Sequence, residues 1–194
     1  MPSAPQFILA SGSPRRKQLL GDLGLSFDIQ PADIDETPLK NEGAKDYVLR
    51  LSIEKAQAVA AQNAGQIVLA ADTTVAVGRR ILGKAENTEE ATAMLRLMSG
   101  RRHRVYTAVA VIDKEGNVRT RISDTAVKMR PLNNKEIQNY AAKKENWQGL
   151  AGAYGIQTSV GGALVKGVNG SVSGVVGLPL AETVHLLRGV GIEL

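Results

Sequence analysis

Phe7-Ile8-Leu9-Ala10-Ser11-Gly12-Ser13-Pro14-Arg15-Arg16-Lys17-Gln18-Leu19-Leu20 reads as a strand, a turn of small residues and a helix, in that order. The run over 7–10 is apolar and suits a buried first strand. Ser13 suits an N-cap, and Pro14 suits the first helical position, where its missing N–H costs nothing. Leu19, Leu20 and Leu23 share a face and give that helix something to bury. A helix N-terminus offers free N–H groups and a partial positive charge. Arg15 and Arg16 add guanidinium forks that match phosphate oxygens. Two solvated arginines on an ordinary amphipathic helix are the other reading of the same residues.

Working outward, 26–30 alternates as a second strand that Pro31 ends, and an acidic loop with Asp33, Asp35 and Glu36 follows. Those carboxylates form either a solvated turn or part of a metal site. The pattern over 45–62 is helical, with Val48, Leu51, Lys55, Ala58 and Val59 on one face. Lys55 is a cation in an apolar row, so it either snorkels or points into a cleft. The stretch 66–72 is almost continuously apolar, as in a strand covered on both faces, and it ends in Asp72-Thr73-Thr74. Ligands in open α/β sheets bind outside the carboxyl ends of strands, so Asp72 is the leading acidic candidate.

Farther along, Gly78-Arg79 joins 74–77 to 80–82 as a hairpin, and Lys84 follows. Thr88 is expected to cap a helix through Ala91, Leu95 and Met98. Two long alternating strands, 104–113 and 118–129, suggest a ribbon that could form a second lobe, and His103 at their start is read as structural. A helix is expected over 133–144, strands over 163–165 and 172–176 around a turn at Asn169-Gly170, and a last helix after Leu178-Pro179. The fold class is mixed α/β: a central mixed sheet flanked by helices, in two lobes with a cleft.

The 194 residues, 43% apolar and 22% charged, are ordinary globular values and suit one domain over 1–194, built as two joined lobes. The absence of cysteine excludes disulfides, thiolate metal sites and cysteine nucleophiles. With two histidines, any metal must be held mainly by oxygen, which favours Mg2+ or Mn2+. No apolar run approaches a membrane span and no signal-peptide layout opens the chain, so a cytoplasmic protein with no membrane partner is expected. The net charge of +5 asks for an anionic partner. The basic residues are scattered and aromatics are only 4%, which favours a small phosphorylated ligand over nucleic acid.

Several separated motifs, in order, resemble the Maf family of nucleoside triphosphate pyrophosphatases. They are Leu-Ala-Ser-Gly-Ser-Pro-Arg-Arg (9–16), Glu54-Lys55-Ala56, Ala71-Asp72-Thr73, Ser99-Gly100 with His103 and Thr107, Ala-Gly-Ala-Tyr-Gly-Ile-Gln (151–157), and Asn169-Gly170-Ser171 leading to 175–180. The resemblance implies a metal-dependent cytoplasmic enzyme, commonly a homodimer, that cleaves a nucleoside triphosphate between its α- and β-phosphates. It implies a cleft shape related to house-cleaning inosine triphosphatases. It places Ser11, Arg15, Arg16 and Lys55 on the triphosphate, makes Asp72 the catalytic acid residue, puts Glu36 with Asp72 on the metal, and matches Lys84 to a cleft lysine. Arg16, Thr73 and Gln157 match the subgroup that acts on dTTP and UTP rather than 7-methyl-GTP. Departures from the family pattern are Ala85 for proline, Leu150 for lysine and Thr158 for glycine. A pyrophosphatase for 7-methyl-GTP or other modified nucleotides, and a nucleotide-binding regulator of septum formation, are the alternatives that the same resemblance carries.

Overall fold

In the computed structural model, which describes residues 5–194, the chain-opening motif folds as strand β1 (Phe7–Leu9) and helix α1 (Pro14–Asp22). Strand β2 (Phe27–Ile29) and helix α2 (Ala44–Ala60) follow. Then come β3 (Val68–Val77), β4 (Arg80–Leu82), α3 (Thr88–Met98), β5 (Arg102–Ile112) and β6 (Val118–Met129). The last part holds α4 (Asn134–Ala141), the short α5 (Ser159–Gly162), β7 (Val165–Asn169), α6 (Val172–Val176) and α7 (Leu180–Arg188). One mixed sheet runs in the order β2-β1-β3-β5-β6-β7, with β4 paired to β3. β1 is parallel to β2 and β3, and every other pairing is antiparallel.

The unbroken apolar run in β3 has its reason in the layers on either side. Val68 and Ala70 pack with Ala56 and Val59 of α2, while Leu69 and Ala71 pack with Leu20 of α1 and Leu186 and Leu187 of α7. A third core lies at the far end of the long strands, where Val75, Val105, Val127 and Met129 meet Leu95, Met98, Ile137 and Trp147. The two expected lobes therefore share β3, β5 and β6. The β5–β6 ribbon belongs to both lobes and does not form one by itself.

Four local expectations change. The strand expected to end at Asp72 continues to Val77, because β5 pairs it without interruption from Val68↔Ile112 to Ala76↔Arg104. Asn87, not Thr88, caps α3: its side chain accepts from the Glu90 N–H. Ser13 is the N-cap of α1 but makes no side-chain cap bond, and its own N–H reaches Ser11 Oγ instead. The stretch 172–176 is helix, not strand. The Ser171 side chain accepts from the Gly174 N–H and starts that turn, while β7, which begins at Val165, pairs with β6. The Gly78-Arg79 hairpin, closed by Val77↔Arg80, forms as expected. Helix α4 starts on a capping box between Asn133 and Glu136.

His103 is structural, as read. It is buried, its Nε2 lies 2.8 Å from Tyr154 Oη, and its Nδ1 has no partner. Burial pushes its pKa down to about 4 from 6.5. The unfolded chain therefore binds a proton here that the fold refuses, and stability falls as pH drops through 6.5 towards 4. We expect His103→Gln to remove up to roughly 2–3 kcal/mol of that acid sensitivity. Urea unfolding at pH 7 and pH 4.5 measures it, and an identical pH slope in the variant would contradict the assignment.

Candidate active site

Strand β3 is paired to β1 only as far as Leu9↔Leu69 and to β4 only from Val75↔Leu82. Among the described residues its edge at 70–74 therefore has no strand neighbour. Asp72 and Thr73 sit in that gap. It opens into a cleft of about 460 Å³ between the two lobes. Asp72 thus lies mid-strand, yet just beyond the carboxyl end of β1, at the point where the sheet changes from parallel to antiparallel pairing.

All the residues singled out from sequence line this cleft: Ser11, Arg15, Arg16, Glu36, Lys55, Asp72, Thr73, Lys84 and Gln157. The side chains of β3 alternate, so Asp72 faces α2 and Thr73 faces the opposite layer. On the α2 side, the Lys55 ammonium stands 2.6 Å from Asp72 Oδ1 and 2.8 Å from Glu36 Oε1. Lys55 and Asp72 are each 7% exposed. Lys55 does reach the cleft, but its nearest partners are two carboxylates. Lys84 is more open and lies 4.0 Å from Glu36 Oε2. Its backbone is fixed by a β-bridge to Ala151.

On the other side, Arg16 is held on three sides. Its Nε donates to the Gly177 carbonyl at 2.9 Å, Nη1 to Ser11 Oγ at 2.9 Å, and Nη2 to Thr73 Oγ1 at 3.3 Å. Thr107 Oγ1 lies 3.1 Å from Thr73 Oγ1 and 2.7 Å from the Gly174 carbonyl, which extends the network into α6. Arg15 crosses to the opposite wall and donates to the Gly149 carbonyl at 3.0 Å. Gln157 is exposed at the rim, not buried. Of the three departures, Ala85 packs into the far core and Thr158 caps α5, so neither reaches the cleft lining, whereas Leu150 does.

Burial pushes the Asp72 carboxyl up, and the Lys55 and Arg16 charges pull against that shift. For Glu36 burial is again the largest influence, but the Lys55 hydrogen bond and the charges of Lys55, Lys84 and Arg16 together hold its carboxyl below the usual range. Burial lowers Arg16 and Arg15, which stay cationic at neutral pH.

Two residues that the sequence reading missed hold the acidic loop in place. Tyr47 donates to the Glu36 carbonyl at 2.8 Å. Arg50 donates to the Thr37 carbonyl, grips both oxygens of Glu42 at 2.7 and 2.8 Å, and reaches Glu54. Glu42 in turn accepts the Leu39 N–H. Positions 47, 50 and 54 share one face of α2, and that spacing was the available signal. Burial and the nearby Asp72 and Glu36 charges push the Tyr47 hydroxyl up to about 12, so it stays a donor. Arg50→Ala should speed amide exchange at Leu39 roughly ten-fold or more, since it frees the carboxylate that Leu39 binds. Exchange in β3 should not change. Hydrogen-exchange mass spectrometry checks both, and unaltered exchange at Leu39 would show that the loop is held by something else.

The family model for Maf-like proteins matches residues 6–190. A dTTP/UTP pyrophosphatase of Roseobacter denitrificans is 53% identical over 186 residues, covering 95% of this chain and 97% of that protein. A dTTP/UTP pyrophosphatase of Caulobacter vibrioides is 48% identical over 192 residues, covering 98% of each. Among solved structures, a HAM1 protein from Coxiella burnetii shares 20% identity over 65% of this chain and 73% of its own, with a TM-score of 0.47. A match of this length to the family model, with relatives near half identity from end to end, means that the chain belongs to the Maf family.

Proposed function

We propose that this chain is a nucleoside triphosphate diphosphatase that hydrolyses dTTP and UTP to the monophosphate and pyrophosphate. The observation that carries the reading is the convergence of Glu36 and Asp72 on the Lys55 ammonium, in a cleft that also holds Arg15, Arg16 and Lys84. An anion-binding regulator gains nothing from two acids set beside its cations, whereas a phosphate hydrolase needs a base there.

The residues divide the work by position. Arg15, Lys84 and the N-terminus of α1 face the triphosphate and balance its charge. Arg16 has three N–H groups engaged and lends the cleft its charge while tying Ser11 to Thr73. Asp72 takes the proton of the attacking water; burial raises its affinity for that proton, and Lys55 keeps it ionised beforehand. Thr73 and Gln157, two polar uncharged groups of the cleft lining, would meet the pyrimidine edge.

Glu36 and Asp72 also fit a divalent cation. They are two hard oxygen donors already converging on one cationic position, and among the described residues no cluster of three acidic or histidine ligands exists. That donor set suits Mg2+ or Mn2+, which takes its remaining ligands from water and substrate phosphate. Such an ion would supply an acidified water and neutralise developing charge on the phosphoryl oxygens. The relatives named dTTP/UTP pyrophosphatase support the choice of substrate, and the family resemblance supports a cytoplasmic homodimer. Among the described residues no helix is long and apolar enough to cross a membrane.

Pyrophosphate release from a panel of nucleoside triphosphates, with and without Mg2+ or Mn2+, tests the reading. Metal-dependent release from dTTP and UTP, with little from GTP or 7-methyl-GTP, is expected. Asp72→Asn should lower kcat at least about 100-fold and leave the circular dichroism spectrum intact; turnover close to wild type would remove Asp72 from the reaction. Because Asp72 must be ionised to act and burial raises its pKa, kcat/KM should fall on the acid side at a pH above the ordinary carboxylate range of about 4. A pH profile flat down to pH 4 would contradict that role.

A further inference from the structure

Thr73, Thr107 and Ser123 stand directly opposite one another across β3, β5 and β6. Opposed residues of antiparallel strands carry their side chains on one face, so three hydroxyls form a row. Thr107 is the middle one. It is 1% exposed and does not line the cleft. Helix α6 comes down onto the row at Gly174, where a Cβ would meet Ser123 Oγ at 3.0 Å. Glycine there lets a backbone carbonyl reach the hydroxyls.

The protons available give this row a direction. Thr107 Oγ1 is 2.7 Å from the Gly174 carbonyl. A carbonyl only accepts, so the single Thr107 proton is spent there. Thr73 Oγ1 lies 3.1 Å from Thr107 Oγ1, and that contact is then a hydrogen bond only with Thr73 as donor. The other acceptor near Thr73, the Gly177 carbonyl, is farther away at 3.5 Å and already takes the Arg16 Nε–H at 2.9 Å. With its proton turned to Thr107, Thr73 Oγ1 shows a lone pair to Arg16 Nη2 at 3.3 Å, which can only donate. The chain therefore runs one way, from the Arg16 N–H through Thr73 and Thr107 to the Gly174 carbonyl. Each link polarises the next.

We propose that Thr107 is a positioning residue: acting through Thr73, it holds the Arg16 guanidinium in the cleft without meeting the substrate itself. Its kinetic consequence rests on the hydrolase reading above. Without the Thr107 hydroxyl, the Thr73 proton turns to the Gly177 carbonyl and competes there with Arg16 Nε, and the lone pair aimed at Nη2 is lost. Arg16 is weakened at two of its three holds. Asp72 faces the other side of β3 and keeps its partners. The Arg16 charge meets substrate and transition state alike, so the loss falls on KM and spares kcat.

Thr107→Val keeps the shape and removes the hydroxyl, whereas Thr107→Ser keeps the hydroxyl and removes the methyl. With dTTP, Thr107→Val should raise KM about five- to ten-fold and leave kcat within about two-fold, and Thr107→Ser should keep KM near wild type. An unchanged KM in Thr107→Val, or an equal rise in Thr107→Ser, overturns the proposal and leaves the hydrolase reading in place. The NMR signals of the Arg16 guanidinium, assigned by their loss in Arg16→Lys, need no turnover. Rotation about Nε–Cζ should be slow in the wild-type protein and in Thr107→Ser, and about five- to ten-fold faster in Thr107→Val. Thr73→Val cuts the chain one link earlier, should speed the rotation likewise, and takes the place of Thr107→Val if that variant does not fold. Rotation as slow as wild type in either valine variant overturns the proposal. If the wild-type protein releases no pyrophosphate, the hydrolase reading fails and the rotation rates alone decide whether Thr107 holds Arg16.

Discussion

The Lys55 ammonium held between Asp72 and Glu36 is the constraint around which this molecule is arranged. Two charges at about a tenth exposure are stable only as a pair, because removing either partner leaves the other desolvated and uncompensated, at roughly 3–5 kcal/mol. That pair joins α2 to the central strand. The third member, Glu36, comes from a loop with no regular structure, and it can be presented only because α2 also supplies Tyr47 and Arg50 to grip the loop backbone. One helix therefore carries the cation, the clamp for the acid that meets it, and the apolar face of Ala56 and Val59 that seats the helix on the sheet.

The cleft exists because the sheet is incomplete where the charges are. A strand edge left open at 70–74 would ordinarily invite pairing with another chain. Here it faces the cleft, whose lining also includes the turn that leads into α1 and the segment 148–151. Arg16 closes the arrangement: bonded to Ser11, Thr73 and Gly177, it ties the first helix, the central strand and the turn before α7 into one wall. A residue that could have been a free phosphate ligand is in this geometry a brace as well.

Much of this was legible in the residues. Period-3.6 apolar rows marked α1, α2 and α3, and an unbroken apolar run marked β3, because those patterns follow directly from burial on one face or on two. The site residues were legible through the ordered motifs. The errors cluster where the deciding partner is distant. Nothing local in Asp72-Thr73-Thr74 says that β5 will carry the strand on to Val77. Val172, Val175 and Val176 are β-branched and suit a strand, but the Ser171 cap turns the stretch into a helix.

The sequence by itself determined the class of fold, through composition and periodicity, which act locally and survive any arrangement of the chain, and it pointed to the cleft residues through ordered motifs that resemble those of the family. Only the tertiary structure decided that Lys55 would face two acids and that Arg16 would brace Ser11 against Thr73. Each of those relations depends on distances between residues far apart in the chain, which are set by sheet register and layer packing and have no trace in local spacing.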